Sequence, residues 1–256
     1  MRVSEQPAYV LHHYSYGETS LLLEIFTRDY GRLGTLAKGA RRARPRARMP
    51  LEPFQRLLIG WSGKGELPVL TGVDLDDDPV FLSGEELYCG FYMNELLFRL
   101  LHRHDPHEAL FAVYQSSLRA LQSDDIAEAT LRIFEKRLLQ EVGYGLVLET
   151  EVNDRVPIEP GRMYEYLPMR GPVRATDSKR ITTEQSVSIS GDSLIALARE
   201  TLTEQRTLRE SKSLLRVVLS LHLGRKPLNS RKLFRDLKRI PIIETDTEAL
   251  IDPARR

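Results

Sequence analysis

The sequence lacks most of what builds disulfides, cysteine-rich metal sites and membrane spans. Cys89 is the single cysteine, which excludes an intramolecular disulfide and a cysteine-rich zinc site and is typical of a reducing compartment. No apolar run approaches the roughly 18 residues of a membrane span, and residues 1–7 lack the apolar core of a secretory signal. We therefore expect a cytoplasmic protein that makes no membrane contact.

Arrangements typical of catalysis are also missing. The glycines between residues 60 and 65 lack the spacing, and the following Ser or Thr, of a phosphate-binding Walker loop. His102, His104 and His107 cluster near a predicted helix junction, but no cysteine nearby completes a metal site. No nucleophile stands beside a base in a pattern above chance. We expect a protein that is not an enzyme and has no cofactor.

Positive charge is unevenly distributed along a chain whose formal net charge is only +1. Residues 1–50 carry nine Lys and Arg against four acids, residues 51–86 carry two against eight, and residues 199–239 carry twelve against four. The densest stretch, residues 38–48, has no acid, and we call it the basic segment. Its cations are Lys38, Arg41, Arg42, Arg44, Arg46 and Arg48. Such density predicts a solvated loop that serves either solubility or the binding of a polyanion, with phosphate the first candidate.

Short alternating segments in the first 80 residues predict five β-strands. Five strands within about 75 residues, with one long loop in the middle, fit a small closed barrel better than a sandwich, and the OB-fold is the five-stranded candidate. The basic segment then joins the third strand to the fourth. The predicted strands are 8–14, 20–26, 32–37, 54–61 and 66–71.

From Ser83 onwards the apolar spacing is helical. Capping-box patterns start at Ser83 and Thr207, an N-cap pattern starts at Asp105, and Gly143 and Gly224 predict helix ends. The predicted fold class is α+β, an OB-fold barrel followed by a helical domain with a β-rich insertion. The predicted units are the barrel domain 1–80, the first helical part 81–145, the insertion 146–190, the second helical part 191–240 and a flexible tail 241–256.

Several segments together resemble the RecO family of bacterial recombination mediators. Each motif is weak alone, but their order and spacing from about residue 8 to residue 238 are fairly specific. The segments are Glu18-Thr-Ser-Leu-Leu-Leu, Ala37-Lys-Gly-Ala-Arg-Arg, Leu51-Glu-Pro-Phe, Tyr92-Met-Asn-Glu-Leu-Leu, Leu131-Arg-Ile-Phe-Glu-Lys-Arg-Leu-Leu, Gly143-Tyr-Gly and Gly224-Arg-Lys-Pro-Leu-Asn-Ser-Arg-Lys-Leu-Phe.

The resemblance implies a zinc-less member of that family. Many members carry a zinc-binding cysteine cluster in the insertion, which would start here near residues 149–153. Residues 146–190 hold neither Cys nor His, the ligand types that zinc needs. We therefore expect no metal, and an insertion held by packing alone.

The resemblance also implies binding and annealing of single- and double-stranded DNA without sequence preference. The cations of the basic segment would neutralise phosphates, and aromatic side chains of the barrel would stack on bases. The aromatic candidates are Tyr14, Tyr16, Tyr30 and Trp61, for each of which packing in the barrel is the commoner role. Lys226, Arg231 and Lys232 would extend the DNA path, the alternative being an ordinary solvated helix face.

Protein partners follow from the same resemblance. The acidic, Phe-ended tail of single-strand-binding protein would place its terminal carboxylate on Arg132 and Arg137. A RecR-like protein would be a direct partner and a RecA-type recombinase an indirect one, in the bacterial cytoplasm and at the nucleoid during repair. Two other classes fit the barrel and the basic segment alone: an OB-fold protein that binds RNA, and an adaptor whose basic segment meets an acidic protein.

Overall fold

A computed structural model describes residues 1–41, 51–63, 65–122, 127–175, 186–224, 226–230 and 232. Its first five strands form a closed barrel in the order β1-β2-β3-β5-β4, which confirms the predicted OB-fold barrel. Alternating residues such as Leu23, Ile25 and Ile59 fill its interior. The strands are β1 (Arg2–Tyr16), β2 (Ser20–Thr27), β3 (Gly31–Ala37), β4 (Leu57–Ser62) and β5 (Val69–Leu75).

The barrel closes through a narrow contact between β3 and β5, which we call the seam. These strands run parallel and pair only at Leu36 and Val69. The Pro68 carbonyl holds the seam, because it accepts from the Leu36 amide of this pair at 2.9 Å and from the Thr35 hydroxyl at 3.0 Å. The other neighbouring strands pair over most of their length.

The rest of the described chain is a helical domain with a small sheet. Its core is built from side chains such as Leu97, Tyr114, Phe134 and Leu215, and the sheet has the order β7-β6-β8. The β-rich insertion is therefore confirmed. The elements are α1 (Gly84–Leu100), α2 (Glu108–Ala120), α3 (Ala127–Glu141), β6 (Met163–Leu167), β7 (Gly171–Arg174), β8 (Val187–Ser190), α4 (Gly191–Arg199) and α5 (Gln205–Leu223).

A cluster of ion pairs joins the barrel to the helical domain. Glu24, buried on β2, accepts hydrogen bonds from Arg32 at 2.8 Å and from Arg103. The Arg32 side chain also donates to the Leu101 carbonyl at the end of α1. Nearby, the Asn94 amide donates to backbone carbonyls of β1. Barrel and helices are thus held together by polar contacts as well as by packing.

Two predicted helix starts are wrong because tertiary contacts take over the capping residues. Helix α2 begins at Glu108 with His107 as its N-cap, instead of starting after Asp105. The chain before it is held against the barrel, since the His104 amide donates to the Arg32 carbonyl at 2.9 Å. The Asp105 backbone packs directly on Gly31, where a Cβ would overlap it.

Helix α5 begins at Gln205, two residues before the predicted cap Thr207. Glu210, the expected partner of that cap, instead accepts hydrogen bonds from the amide and hydroxyl of Ser190, at 2.8 and 2.6 Å. The α1 start at Ser83 and the glycine ends at Gly143 and Gly224 agree with the sequence prediction. The predicted tail lies outside the described residues.

The expectation that packing alone holds the insertion is wrong. The Arg174 guanidinium of β7 bonds to Glu151 at 2.9 Å and to Glu159 at 3.4 Å. Glu151 is buried, so these pairs tie the loop before β6 to the small sheet. Within the described ranges, no group of three or more His, Cys, Asp or Glu side chains is placed to hold a metal ion. None of the helices described is long and apolar enough to span a bilayer.

Candidate nucleic-acid interface

Tyr14 and Tyr16 stand on the outside of the barrel, with 45% and 53% of their surface exposed. A β-bulge puts them there, because the register of β1 against β2 shifts between Val10 and His12. Val10 points into the barrel core. In an unbroken strand His12, Tyr14 and Tyr16 would share the inward face of Val10, but the unpaired Leu11 reverses the alternation after it. The bulge thus turns two tyrosines out to solvent.

The exposed tyrosines continue into an apolar row across three strands. Tyr14 lies opposite Leu22 on β2, and Leu22 lies opposite Leu36 on β3. Both leucines are half-buried. The His12 ring stacks on Tyr14 with centroids 4.3 Å apart. We call this set, His12, Tyr14, Tyr16, Leu22 and Leu36, the outer stripe.

The start of the basic segment lies at the same end of the barrel. The Arg41 amide donates to the Thr19 carbonyl at 2.8 Å, and its guanidinium donates to the Gly17 carbonyl at 3.3 Å. Thr19 and Gly17 belong to the turn that directly follows Tyr16. Lys38 and Arg41 are exposed, and neither has an ion-pair partner among the residues described. Four other predicted cations lie outside the described residues: Arg42, Arg44, Arg46 and Arg48.

Trp61 belongs to the barrel interior, and the half-buried Tyr30 packs against it. Trp61 is buried within the barrel core, and the Tyr30 ring packs edge-on against it with centroids 5.1 Å apart. Of the four aromatic candidates, the structure therefore brings Tyr14 and Tyr16 to the surface and leaves Tyr30 and Trp61 to packing. Sequence spacing does not separate the two groups, because it does not reveal the bulge.

Residues 199–239, which we call the second basic region, contact helix α1 through residues 223–230. Arg99 donates to the carbonyls of Leu223, Lys226 and Pro227, and Glu95 accepts from the amides of Asn229 and Ser230. The sequence does not predict these contacts of Glu95 and Arg99, since their partners lie more than 120 residues away along the chain.

Cations of the second basic region differ in how far they are neutralised. Lys226 and Lys232 are exposed, and no ion pair is found for either within the described part of the chain. Arg206 pairs with Glu210 at 2.9 Å and Lys212 with Glu128 at 2.8 Å. Arg231 lies outside the described residues. Lys226 and Lys232 are thus available cations, as are Arg199, Arg209 and Arg216, which are also exposed and have no ion pair among the described residues.

Arg132 and Arg137 lie on the same helix in different surroundings. Arg132 is buried, and its guanidinium pairs with Glu135 at 2.9 Å. Its Nε atom is buried without a hydrogen-bond partner among the described residues. Arg137 is half exposed and pairs with Glu200 at 2.6 Å. Burial alone would raise the pKa of Glu200, but hydrogen bonds from Arg137 and Lys136 lower it on balance.

The comparisons with known proteins agree over nearly the whole chain. Residues 1–77 match the family model described as Recombination protein O N terminal, and residues 82–232 match Recombination protein O C terminal. A protein of Nitrosococcus oceani named DNA repair protein RecO is 47% identical over 240 residues, covering 94% of this chain and 96% of that protein. Proteins of the same name from Coxiella burnetii and Dechloromonas aromatica are 45% and 44% identical, covering 91% and 93% of this chain and 98% of each relative. The chain therefore belongs to the RecO family.

Proposed function

We propose that the chain acts in DNA repair as a recombination mediator. It binds single- and double-stranded DNA without sequence preference and anneals complementary strands. It docks on single-strand-binding protein and, with a RecR-like partner, helps to load a RecA-type recombinase. The repair role is supported by relatives named DNA repair protein RecO. The DNA-binding role is carried by one observation, the outer stripe beside the exposed cations Lys38 and Arg41.

The chemistry of this surface suits a polyanion with exposed bases. Lys38 and Arg41 supply charge for phosphates, and binding releases the counterions of the DNA. Tyr14 and Tyr16 supply ring faces, on which any base can stack. Phosphate contacts position a strand without reading its sequence. Annealing then requires only that the bound cations screen phosphate repulsion while complementary bases pair, and no covalent bond changes.

Salt titration tests the electrostatic part of this proposal. In a variant with Lys38, Arg41, Arg42, Arg44, Arg46 and Arg48 changed to Ala, we expect weaker binding to a dT oligonucleotide and slower annealing. The slope of log affinity against log salt should fall by about 0.7 for each phosphate that the variant no longer neutralises. Fluorescence anisotropy at several salt concentrations measures both quantities, and an RNA oligonucleotide of equal length tests the RNA-binding alternative.

Two comparison variants sharpen this titration. Arg206→Ala with Lys212→Ala removes exposed cations that already have acidic partners, so its salt slope should match wild type. Tyr14→Ala with Tyr16→Ala should weaken binding at every salt concentration without changing the slope, because stacking releases few counterions. An unchanged affinity and slope in the basic-segment variant would show that DNA binds elsewhere.

We further propose that the tail of single-strand-binding protein docks near Arg132 and Arg137 on α3. Support comes from the half-exposed Arg137 and from the buried Nε atom of Arg132, which has no hydrogen-bond partner in the described part of the chain. Both guanidiniums already hold a carboxylate, so a tail carboxylate must displace Glu135 or Glu200. The proposal therefore implies that an existing ion pair opens on binding.

An anisotropy titration with a labelled acidic, Phe-ended peptide tests this docking site. Arg137→Ala and Arg132→Ala should each weaken binding by about tenfold, the effect of one charge-assisted hydrogen bond. The matched control is Arg119→Ala. It removes a half-exposed arginine of α2, which pairs with Asp77. Wild-type affinity in both α3 variants would remove these arginines from the tail site.

A further inference from the structure

A cleft of about 140 Å³ opens in the helical domain, away from the barrel strands. Three pieces of chain form it: the loop after α3, the turn between β6 and β7, and the last turns of α5. Among the described residues that line it there is one cation, Arg170, and no acid. Most of the other lining side chains are apolar or aromatic. The cleft thus combines an apolar floor with a positive rim.

A pair of stacked rings forms one wall of this cleft. The rings of Tyr144 and His222 lie parallel, with centroids 3.7 Å apart and 14° between their planes. Tyr144 still exposes 43% of its surface. Burial lowers the pKa of His222, so its ring is neutral at physiological pH. Because His222 covers one ring face of Tyr144, the face available to a ligand is the opposite one.

The turn opposite the rings holds an unusual residue. Met169 has a positive φ of 66° and exposes 73% of its surface. A side chain other than glycine pays a conformational cost in that backbone region, and a large apolar group gains nothing from exposure to water. A flexible thioether beside a ring gains favourable contact with an aromatic ligand. The position of Met169 is explained if a flat group occupies the cleft.

Charge around the cleft favours a nucleotide over an acidic peptide. Arg170 is the one cation among the described residues that line the cleft. A single cation suits one phosphate better than the several carboxylates of an acidic peptide. The ring pair offers a flat face, which suits a base of any identity.

We propose that the cleft binds one unpaired base of single-stranded DNA, stacked on Tyr144, with the neighbouring phosphate on Arg170. This inference rests on the proposed DNA-binding function and adds a second contact, on the helical domain. The barrel would hold one stretch of the strand and the cleft another. A strand held at both points is extended between them, which keeps its bases accessible for pairing.

Oligonucleotides with and without bases test the stacking contact. Tyr144→Ala should weaken binding of a dT oligonucleotide by about fivefold, the fold-change for about 1 kcal/mol of stacking. It should leave binding of an abasic strand of equal length unchanged. Tyr144→Phe should bind like wild type, because its ring still stacks. The matched control is Phe81→Ala, which removes an exposed aromatic ring from an acidic stretch and should change neither affinity.

Two further variants act at the rim. Arg170→Ala should lower the salt slope by about 0.7. Met169→Gly removes the opposite wall while relieving the positive φ, so it stays folded even if Tyr144→Ala does not. Met169→Gly should also weaken binding of dT more than binding of the abasic strand.

Three results would overturn the inference. The first is an unchanged dT affinity in Tyr144→Ala and Met169→Gly while the basic-segment variant is impaired, which leaves the proposed function standing. The second is a loss of affinity in Tyr144→Ala that is equal for the dT oligonucleotide and the abasic strand. The third is loss of acidic-peptide binding in Tyr144→Ala with unchanged dT binding, which would make the cleft a protein site. If wild type binds no DNA at all, the proposed function fails together with this inference.

Discussion

At the scale of single residues, one inserted position and one glycine decide how the barrel meets solvent and the helical domain. Leu11 is the residue that the β-bulge adds, and it separates Val10, inside the barrel, from the exposed tyrosines that follow. Gly31 acts by lacking a side chain, which lets the Asp105 backbone approach β3. Neither effect depends on the chemistry of a side chain. The first depends on an unpaired residue in the strand ladder, and the second on a close approach between two backbone segments.

Replacing Gly31 with Ala tests the close approach of the barrel to residue 105. Gly31→Ala should lower the free energy of unfolding by about 1 kcal/mol through its positive φ, and by about 2 kcal/mol more through overlap with the Asp105 carbonyl. Gly17→Ala is the control, because Gly17 has a similar φ of 58° with no atom within 4 Å of the added Cβ. Urea unfolding measures both. Equal losses in the two variants would contradict the overlap.

At the scale of elements, Glu210 joins α5 to the start of α4. Its carboxylate accepts from Ser190, and the Ser190 hydroxyl in turn caps α4 by accepting from the Ser193 amide at 3.3 Å. Burial would raise the pKa of Glu210, but hydrogen bonds from Ser190 and Arg206 lower it to about 2. The carboxylate of Glu210 thus connects helix α5 to the residue that caps helix α4.

This carboxylate makes part of the stability depend on pH. The pKa of Glu210 is lower in the folded state than in the unfolded state, so its contribution is present above the unfolded value of about 4.5 and is lost as pH falls towards about 2. Glu210→Gln should be less stable than wild type at pH 6, and the difference should shrink in acid. Urea unfolding from pH 6 to pH 3 measures it, with Glu128→Gln as a surface control. A difference that does not change with pH would contradict the role of the charge.

The elements show what the sequence can predict. The five strands and the helix ends at Gly143 and Gly224 follow from local patterns, because alternation and glycine geometry act within a few residues. The start of α5 does not, because Glu210 bonds to Ser190, 20 residues away, instead of to its own helix start. A capping box identifies residues able to cap, and packing decides which partner they take.

At the scale of the whole molecule, barrel and helices form a joint core. Tyr9 and Phe26 of the barrel pack with Phe111 of α2, and Glu24 binds arginines from both parts. Burial lowers the pKa of Arg32 in spite of the acid beside it. Arg32 therefore depends on Glu24 to compensate for the hydration that it gives up on folding.

Removing that compensation should destabilise the whole chain. Glu24→Gln should lower the free energy of unfolding by about 3 kcal/mol, because it leaves a largely buried guanidinium without its partner. Asp29→Asn, which unpairs the exposed Arg28, should cost less than about 1 kcal/mol. Trp61, the only tryptophan, reports on the barrel by fluorescence, while circular dichroism reports on the helices. We expect the two signals to unfold together, and separate transitions would contradict a joint core.

The candidate site was predictable in its charges and less so in its geometry. The run from Lys38 to Arg48 is visible in the sequence because it is local and lacks acids. The burial of Arg132 and the pairing of Arg137 with Glu200 are not, since both depend on how α3 packs. The cleft at Tyr144 depends on three distant pieces of chain, so a sequence pattern had no means to predict it.

The single pairing between β3 and β5 has a consequence for how the barrel would respond to the proposed DNA ligand. Leu36 belongs both to the seam and to the outer stripe. A DNA strand bound on the stripe, as proposed, would lie beside the strand contact with the fewest pairs, and it would favour the closed barrel over a form with this contact broken. By mass action, such a ligand raises the melting temperature of the protein. It would also slow exchange of the Leu36 amide hydrogen, so that exchange would report whether the stripe is occupied.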